Sequence, residues 1–361
     1  MEERDSEVPL LDGVPTVGII FNLKKEVASG PADAEAEYDN MDTVLAIQQA
    51  LTACNLNVKL LQADEALPEK LEATHIDIAF NIAEGRGGRG REAQVPALLN
   101  MLGIPFTGSD ETTLCIALDK ALTKRLLASY HLRTPKYALL KHESIIQAPK
   151  LHYPVIVKPN AEGSSKGISD VSIASSPAEL RMLAARAFSL YGQDMLAEEY
   201  IEGREFTVGV LGNGSNARVF PPMEIIYKQP TQGSYHVYSY NVKKAYKRYI
   251  SYECPARLSP EQEHEMMGMA KRTFDVLGCH DFARMDFRLG DDGKIYFIEI
   301  NPLPGLAPGY SDYPMLAEFS GMSYTALIWG IFAAAMQRCG LEWHRYALAE
   351  DMNEQLMCAG I

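Results

Sequence analysis

The sequence predicts an α/β protein of three consecutive lobes, with a central α+β lobe and an open, mainly parallel sheet in the N-terminal one. A βαβ rhythm fills the first 110 or so residues. In the middle, a strand ends in a glycine- and serine-rich loop and a strand–helix–strand unit follows. From "EFTVGVLG" onward strands dominate again, and helices close the chain. With 361 residues there is room for two or three domains of ordinary size, and no internal repeat is visible. The expected lobes are 1–115, 116–205 and 206–361.

"TVGIIFNL" (16–23) is a continuous apolar run bounded by turn residues, the mark of a buried strand. "MDTVLAIQQALTAC" (41–54) has the spacing of an amphipathic helix. "NVKLLQA" and "IDIAFNIAE" read as further strands and "EAQVPALLNMLG" as a helix. Around Asp119 a long helical stretch, "CIALDKALTKRLLASY", leads into the strand "PVIVKP" (154–159) and the loop "NAEGSSKG". Helices are expected at 262–277 and 315–338. The apolar run "ALIWGIFAAAM" (326–336) is about half of the ~20 residues that a bilayer span needs, so it reads as a buried helix.

Hydrophobic residues make up 47% and charged residues 22%, as in a soluble protein with a real core. A net charge of −13 lacks the basic footprint of a nucleic-acid binder. Six scattered cysteines, without a CxxC pair or a histidine at ligand spacing, argue for reduced thiols rather than a disulfide framework or zinc site. The opening "MEERDSEVPLLDG" carries no secretory pattern. The expected location is the cytoplasm, with neither membrane nor nucleic acid as partner.

"GRGGRG" (85–90) matches the dinucleotide fingerprint G-x-G-x-x-G, with Asp110 beyond it. Three features oppose that reading. Its strand would come about 80 residues into the chain, behind another βαβ unit. Pro96 falls inside the helix that should face the pyrophosphate, and Arg86, Arg89 and Arg91 add bulk where backbone must approach phosphate. A flexible loop near a substrate is the expectation.

"ARMDFRLGDDGKIYFIEIN" (283–301) holds two alternating apolar runs around "DG", a hairpin signal for a two-residue type I′ turn at Asp292-Gly293. That turn pairs 291 with 294, and the register then sets Asp286 opposite Glu299 and Arg284 opposite Asn301. Two carboxylates facing across a ladder repel. A divalent cation relieves this, and two carboxylates with an amide oxygen are hard ligands suited to Mg²⁺. Mg²⁺ held so asks for a nucleotide. Lys158 ends an apolar strand before a loop whose Gly163, Ser164, Ser165 and Gly167 offer backbone N–H groups to phosphates. "LAEEYIEGREF" (196–206) runs an apolar strand into two acids, a segment able to offer backbone groups to adenine and carboxylates to ribose.

"KPNAEGSSKG", "EEYIEGREFTV", "CPA" (254–256), "ARMDF" and "EINPLPG", in this order, resemble the ATP-grasp enzymes and, within them, the D-alanine–D-alanine ligase family. "PALLNMLGIPFTGSDETT" followed by "LDKALTK" resembles that family's first domain boundary, so the resemblance spans roughly 75–335. It implies the three-lobed ATP-grasp fold, with ATP between the central and C-terminal lobes. It also implies phosphorylation of an amino-acid carboxylate and attack by a second amine. Position by position, it implies that Lys120, Lys158 and Lys243 contact phosphates. It sets Glu198, Glu199 and Ile201 at the adenine and Glu205 at the ribose. Asp286, Glu299 and Asn301 become ligands of Mg²⁺ (or Mn²⁺). Arg284 and the Gly305 N–H stabilise the tetrahedral intermediate, and Ser164 stands near the first substrate. A closing loop is expected to shield the acyl phosphate, with 228–250 as candidate. A homodimer fits the family.

The amino-acid half departs from the family pattern. Glu84 stands where a histidine is usual, and Lys244 where a tyrosine is usual. The loop "PGLAPGYSDYP" is one residue longer, with Asp312 after Ser311. An acid there repels a carboxylate or binds a cationic group. Asp33, Glu35 and Glu37 all qualify as the acid for the first substrate's ammonium, with Glu37 taken as the candidate. The expected product is D-alanyl-D-alanine, for the cell wall. The alternative is the same mechanism with another amino acid or amine in a specialised pathway, and a catalytically silent nucleotide-binding protein is the competing class. Against the latter stands the intact set Lys158, Arg284, Asp286, Glu299 and Asn301. Replacing Glu299 by Gln should abolish ADP release while leaving the circular dichroism spectrum unchanged; retained turnover would contradict the ligand assignment.

Overall fold

Every residue of Thr16–Phe21 (β1) is buried, and a strand covered on both faces belongs in the middle of a parallel sheet. In the computed structural model of the chain, β1 lies between Asn57–Gln62 (β2) and Ile78–Asn81 (β3), both parallel to it. Helices Met41–Ala53 (α1), Leu67–Ala73 (α2) and Gln94–Leu102 (α3) complete this first sheet unit. The structure describes residues 14–24, 38–141, 149–163, 172–229, 235–239, 242, 243 and 245–341.

The second sheet is antiparallel, in the order Tyr137–Leu140 (β4), Met195–Glu199 (β7), Val155–Pro159 (β5), Ile173–Ala174 (β6). Pro177–Tyr191 (α6) covers it with Leu180, Leu183, Ala184 and Phe188 in a core of its own. Ser176 caps this helix through the Glu179 N–H, and Gly192 ends it at φ +61°. In the third sheet Ile250–Glu253 (β11), Met223–Tyr227 (β10), Gly203–Leu211 (β8), Phe282–Gly290 (β12) and Ile295–Asn301 (β13) follow one another, and Arg218–Val219 (β9) also pairs with β8. After the short helix Tyr246–Tyr249 (α7), Pro260–Val276 (α8) packs Met266, Met269, Ala270 and Phe274 against this sheet.

Three local expectations need correction, and each correction moves something into the site. The helical stretch around Asp119 is two helices, Glu111–Leu118 (α4) and Lys120–Ser129 (α5). Asp119 is extended at ψ 94° and accepts the Leu122 N–H, so its carboxylate caps α5 rather than continuing α4. Asn160, just after β5, clamps the break by donating to Asp119 at 2.8 Å and accepting the Ala121 N–H at 2.9 Å. The helix expected at 315–338 is likewise two, Asp312–Phe319 (α9) and Tyr324–Arg338 (α10), bent by 107°. Gly321 at φ +80° and the Ser323 cap make the corner. No single described helix is long and apolar enough to cross a membrane.

The third correction concerns the hairpin turn. Gly290 N–H donates to the Lys294 carbonyl at 2.9 Å, and Gly293, at φ +75°, donates to the Gly290 carbonyl at 2.8 Å. The loop therefore holds three residues, 291–293, with glycine in the left-handed position of a G1 bulge, instead of a two-residue type I′ turn. Pairing out of the loop runs Leu289 with Ile295 and Phe287 with Phe297. A bulge at Ile298 then shifts the register by one, giving Asp286 opposite Glu299 and Arg284 opposite Asn301. The expected pairing at the site holds because two offsets cancel.

Helix α10 is buried between the first sheet unit and the third. Trp329 and Phe332 lie in one apolar cluster with Val17, Ile19, Val44 and Ile47 of the first sheet unit and with Leu211 and Phe220 of the third. Asp281, fully buried at φ +64°, fixes the same junction. Its carboxylate accepts from Gly108 N–H (2.8 Å), Asn213 Nδ2 (2.8 Å), Arg338 Nη2 (2.8 Å) and Arg338 Nε (3.1 Å). Removing one partner of a buried ion pair strands the other. Asp281→Ala should lower stability by about 3 kcal/mol, read as a reduced urea midpoint.

Candidate active site

The Ile298 bulge does more than set register. Its unpaired carbonyl accepts a hydrogen bond from Lys124 Nζ at 2.9 Å, and it turns Glu299 away from the face that carries the core residue Phe297. Lys124 is 1% exposed and also reaches Thr134 Oγ1 at 2.7 Å and Glu198 Oε2 at 2.6 Å. Glu198 in turn faces Lys158 at 3.4 Å. Burial raises the Glu198 carboxyl, but Lys124 and Lys158 outweigh it and hold it below the usual range. The same burial pushes Lys124 down to about 8 despite Glu198. This pair of lysines on one buried glutamate joins α5, β5 and β7.

Glu299 collects charge from α5, from the second sheet and from the third. Lys120 Nζ stands 3.8 Å and Lys158 Nζ 4.0 Å from Glu299 Oε2. Burial works against ionisation, yet Lys120, Lys158 and Arg284 bring the Glu299 carboxyl down to about 2. Across the ladder Asp286 is raised by burial, opposed by Arg284 and reinforced by Glu299. Arg284 forks onto Asp286, Nε to Oδ1 at 3.1 Å and Nη2 to Oδ2 at 2.9 Å. Lys120 Nζ also donates to the Glu162 carbonyl.

These side chains line a cleft of about 740 Å³ between the second and third sheets. Lys158, Glu198, Glu199, Ile201, Glu205, Lys243, Arg284, Asp286 and Glu299 all border it, together with Tyr200, His236, Val237, Tyr238 and Arg288. A neighbouring cavity of about 440 Å³ shares Arg284 and Glu299 and adds Glu84, Glu92, Lys120, Glu162 and Asn301. So the expected nucleotide and metal residues converge, and Glu84 lies in an adjoining chamber. Gly305 and Ser311 are packed together in the following loop, where a Cβ on Gly305 would meet Ser311 Oγ at 2.9 Å. Asp312 is 2% exposed and its carboxylate meets Arg284 Nη1 at 3.3 Å. The cationic group it binds is the chain's own arginine. Ser164, Lys244, Asp33, Glu35 and Glu37 lie outside the described residues, as does part of the candidate lid 228–250.

Two expected contacts take a different form. Glu199 turns its carboxylate to the His152 N–H at 2.8 Å, since adjacent residues of β7 face opposite sides. Glu205 accepts from Arg288 at 2.7 Å and from Tyr227 OH at 2.8 Å. Arg288 was not foreseen. It also donates to the Ile201 carbonyl and the His236 carbonyl, each at 2.7 Å, and lies over the Tyr200 ring. Alternation from Asp286 on β12 would have found it. Lys124 was equally legible, one helical turn after Lys120 on the same face. The "GRGGRG" loop is anchored: Arg89 pairs with Asp119 at 2.9 Å, and Arg91 donates to the Ala161 carbonyl at 2.9 Å.

A family profile described as "D-ala D-ala ligase C-terminus" matches residues 126–333. The D-alanine–D-alanine ligase of Cupriavidus necator is 35% identical over 268 residues, 74% of this chain and 78% of the relative. That of Pseudomonas putida is 32% identical over 321 residues, 87% and 93% of the two chains. Among solved structures, D-alanine–D-alanine ligase from Bacillus anthracis complexed with ATP superimposes with a TM-score of 0.71 at 22% identity, covering 91% of this chain and all of that one.

Arg288 is the residue whose single guanidinium orders the Glu205 carboxylate and the Ile201 and His236 carbonyls around the cleft. Arg288→Lys keeps the charge but loses the fork. It should raise KM for ATP roughly tenfold, about 1.4 kcal/mol, with a smaller change in kcat under steady-state assay.

Proposed function

This chain belongs to the D-alanine–D-alanine ligase family of ATP-grasp enzymes, ATP-dependent ligases that form a peptide bond, and from that premise we propose that it joins two molecules of D-alanine. The observation that carries the reading is the charge cluster, in which Lys120, Lys158 and Arg284 gather around Glu299 at the junction of the cleft and a smaller chamber. The relatives' names favour D-alanine over the alternative of a different acceptor. The lobes run 1–115, 116–205 and 206–361, the enzyme works in the cytoplasm on small amino acids, and it assembles as a homodimer.

ATP lies in the larger cleft with its base at Glu199–Ile201 and its ribose at Glu205, which Arg288 and Tyr227 hold in place. Lys120, Lys158 and Lys243 offset the phosphate charge. The carboxylate of the first amino acid, seated in the smaller chamber beside Glu84, attacks the γ-phosphorus and ADP leaves. The amine of the second attacks the acyl carbon, and Arg284 with the Gly305 N–H bears the oxyanion until phosphate departs.

The donor set fits Mg²⁺ or Mn²⁺. Asp286 and Glu299 face each other, and each carboxylate oxygen that accepts from Arg284 has a further lone pair. Asn301 Oδ1 accepts one hydrogen bond, from Leu303 N–H at 3.0 Å, and can accept a second partner. When bound there, the cation neutralises phosphate oxygens.

The test is ADP release with Mg²⁺ and ATP against a panel of D- and L-amino acids and amines, products identified by mass. D-alanine should give ADP and the dipeptide, and L-amino acids neither. A product of another mass would replace the substrate assignment, and ATP binding without amino-acid-dependent ADP release would replace the enzymatic one.

A further inference from the structure

Asp312 lies immediately after the lengthened loop of the third lobe. Helix α9 is fixed from its second residue on: Tyr313 is fully buried and its hydroxyl donates to the Val210 carbonyl at 2.8 Å. Gly209 on β8 gives it space, since a Cβ there would meet Tyr313, Leu316 and Phe220 at 2.9 Å. The carboxylate of Asp312 is thus delivered to one place, in the first turn of a helix, where negative charge is favoured.

Three donors meet it there. Arg284 Nη1 is 3.3 Å from Oδ2, while the hydroxyls of Tyr252 and Tyr238 donate to Oδ1 at 2.8 and 3.2 Å. The two phenols stand 2.9 Å apart. Arg284 is consequently held from two sides, by the Asp286 fork and by Asp312, which fixes the plane of its guanidinium. Burial opposes its charge, but Asp286 and Asp312 together more than compensate. Tyr238 belongs to the segment 235–239, whose His236 and Val237 border the cleft with it. A second tie, Tyr246 OH to the Gly309 carbonyl at 3.3 Å, joins the same region to the loop before α9.

We propose that Asp312 is a positioning residue that ties the orientation of Arg284 to the cleft wall at 235–239 through Tyr238 and Tyr252. The proposal rests on the ligase reading above. Without Asp312, one edge of Arg284 and two buried phenols lose their acceptor, each a costly loss in a site shielded from water. The segment carrying Tyr238 then keeps its Arg288–His236 contact but loses its tie to α9, and that wall of the cleft no longer holds water out. Water takes the place of the amine: it attacks the acyl carbon, phosphate leaves, and the amino acid is returned. ATP is consumed with no peptide formed.

The measurement is the ratio of ADP released to coupled product formed, by the wild-type chain, Asp312→Leu, Asp312→Asn and Tyr238→Phe at saturating substrates. The wild-type ratio should be near one. Asp312→Leu should raise it several-fold and lower kcat for peptide formation, with KM for ATP within about twofold. Tyr238→Phe should raise the ratio with a smaller fall in kcat. Asp312→Asn, which retains an acceptor for the phenols, should fall between wild type and Asp312→Leu. A ratio that stays at one in both Asp312→Leu and Tyr238→Phe while the rate falls would reduce Asp312 to a structural role. If Asp312→Leu does not fold, Tyr238→Phe decides. The wild-type product tests the function separately: a different product changes the substrate but leaves the ratio as the measure of coupling. A wild-type chain that makes no product removes both readings.

Discussion

Glu299, half-buried at the cleft, stays ionised because Lys120 and Lys158 arrive within 4.0 Å of it and Arg284 adds its charge from the facing strand. A buried carboxylate without such partners would take up a proton or force the structure open. Lys120 comes from the start of α5, Lys158 from the end of β5, and Arg284 from across the hairpin. Lys124 and Lys158 share Glu198 within the second lobe, whereas Glu299 brings its charge from the third. The charge cluster is therefore complete only where the two sheets meet. This makes the site preorganised, with charges aimed before any substrate arrives.

Irregularities in the backbone do the aiming. The break at Asp119 starts a new helix at Lys120, and Asn160 holds that start against the end of β5. The bulge at Ile298 releases a carbonyl for Lys124 and turns Glu299 towards the cleft. The corner between α9 and α10 sends one helix to Arg284 and the other to the first lobe. An unbroken α5 or an unbulged β13 would point the same residues elsewhere. Bulges and kinks concentrate beside functional sites for this reason.

What the sequence made legible follows the same division. Continuous apolar runs gave β1 and α10, and alternation across residues 283–301 brought Arg284, Asp286, Glu299 and Asn301 together. Those signals depend on nearest neighbours along one strand or helix. The pairing at the site was correct although the turn was wrong, because the three-residue loop and the bulge at Ile298 shift the register in opposite senses. Arg288 and Lys124 carried a periodic signal that went unused. Asp312 carried none: its partners, Arg284, Tyr238 and Tyr252, lie 28, 74 and 60 residues away. Only tertiary packing tells whether such an acid faces a substrate or the protein's own arginine.

The burial of α10 against β1 and α1 has a consequence for how the chain is made. Synthesis runs from the N-terminus, and domains commonly fold as they emerge. Here the core around Val17, Ile19 and Ile47 is closed by Trp329 and Phe332, some 280 to 315 residues later. The first lobe to leave the ribosome keeps an apolar face open until the last described helix appears. The second sheet, with the self-contained core of Val155, Val157, Leu180 and Phe188, has no such wait. Contacts this distant in sequence slow folding through the loop they must close. The order of completion thus departs from the order of synthesis: the middle lobe first, and the N-terminal lobe only together with α10.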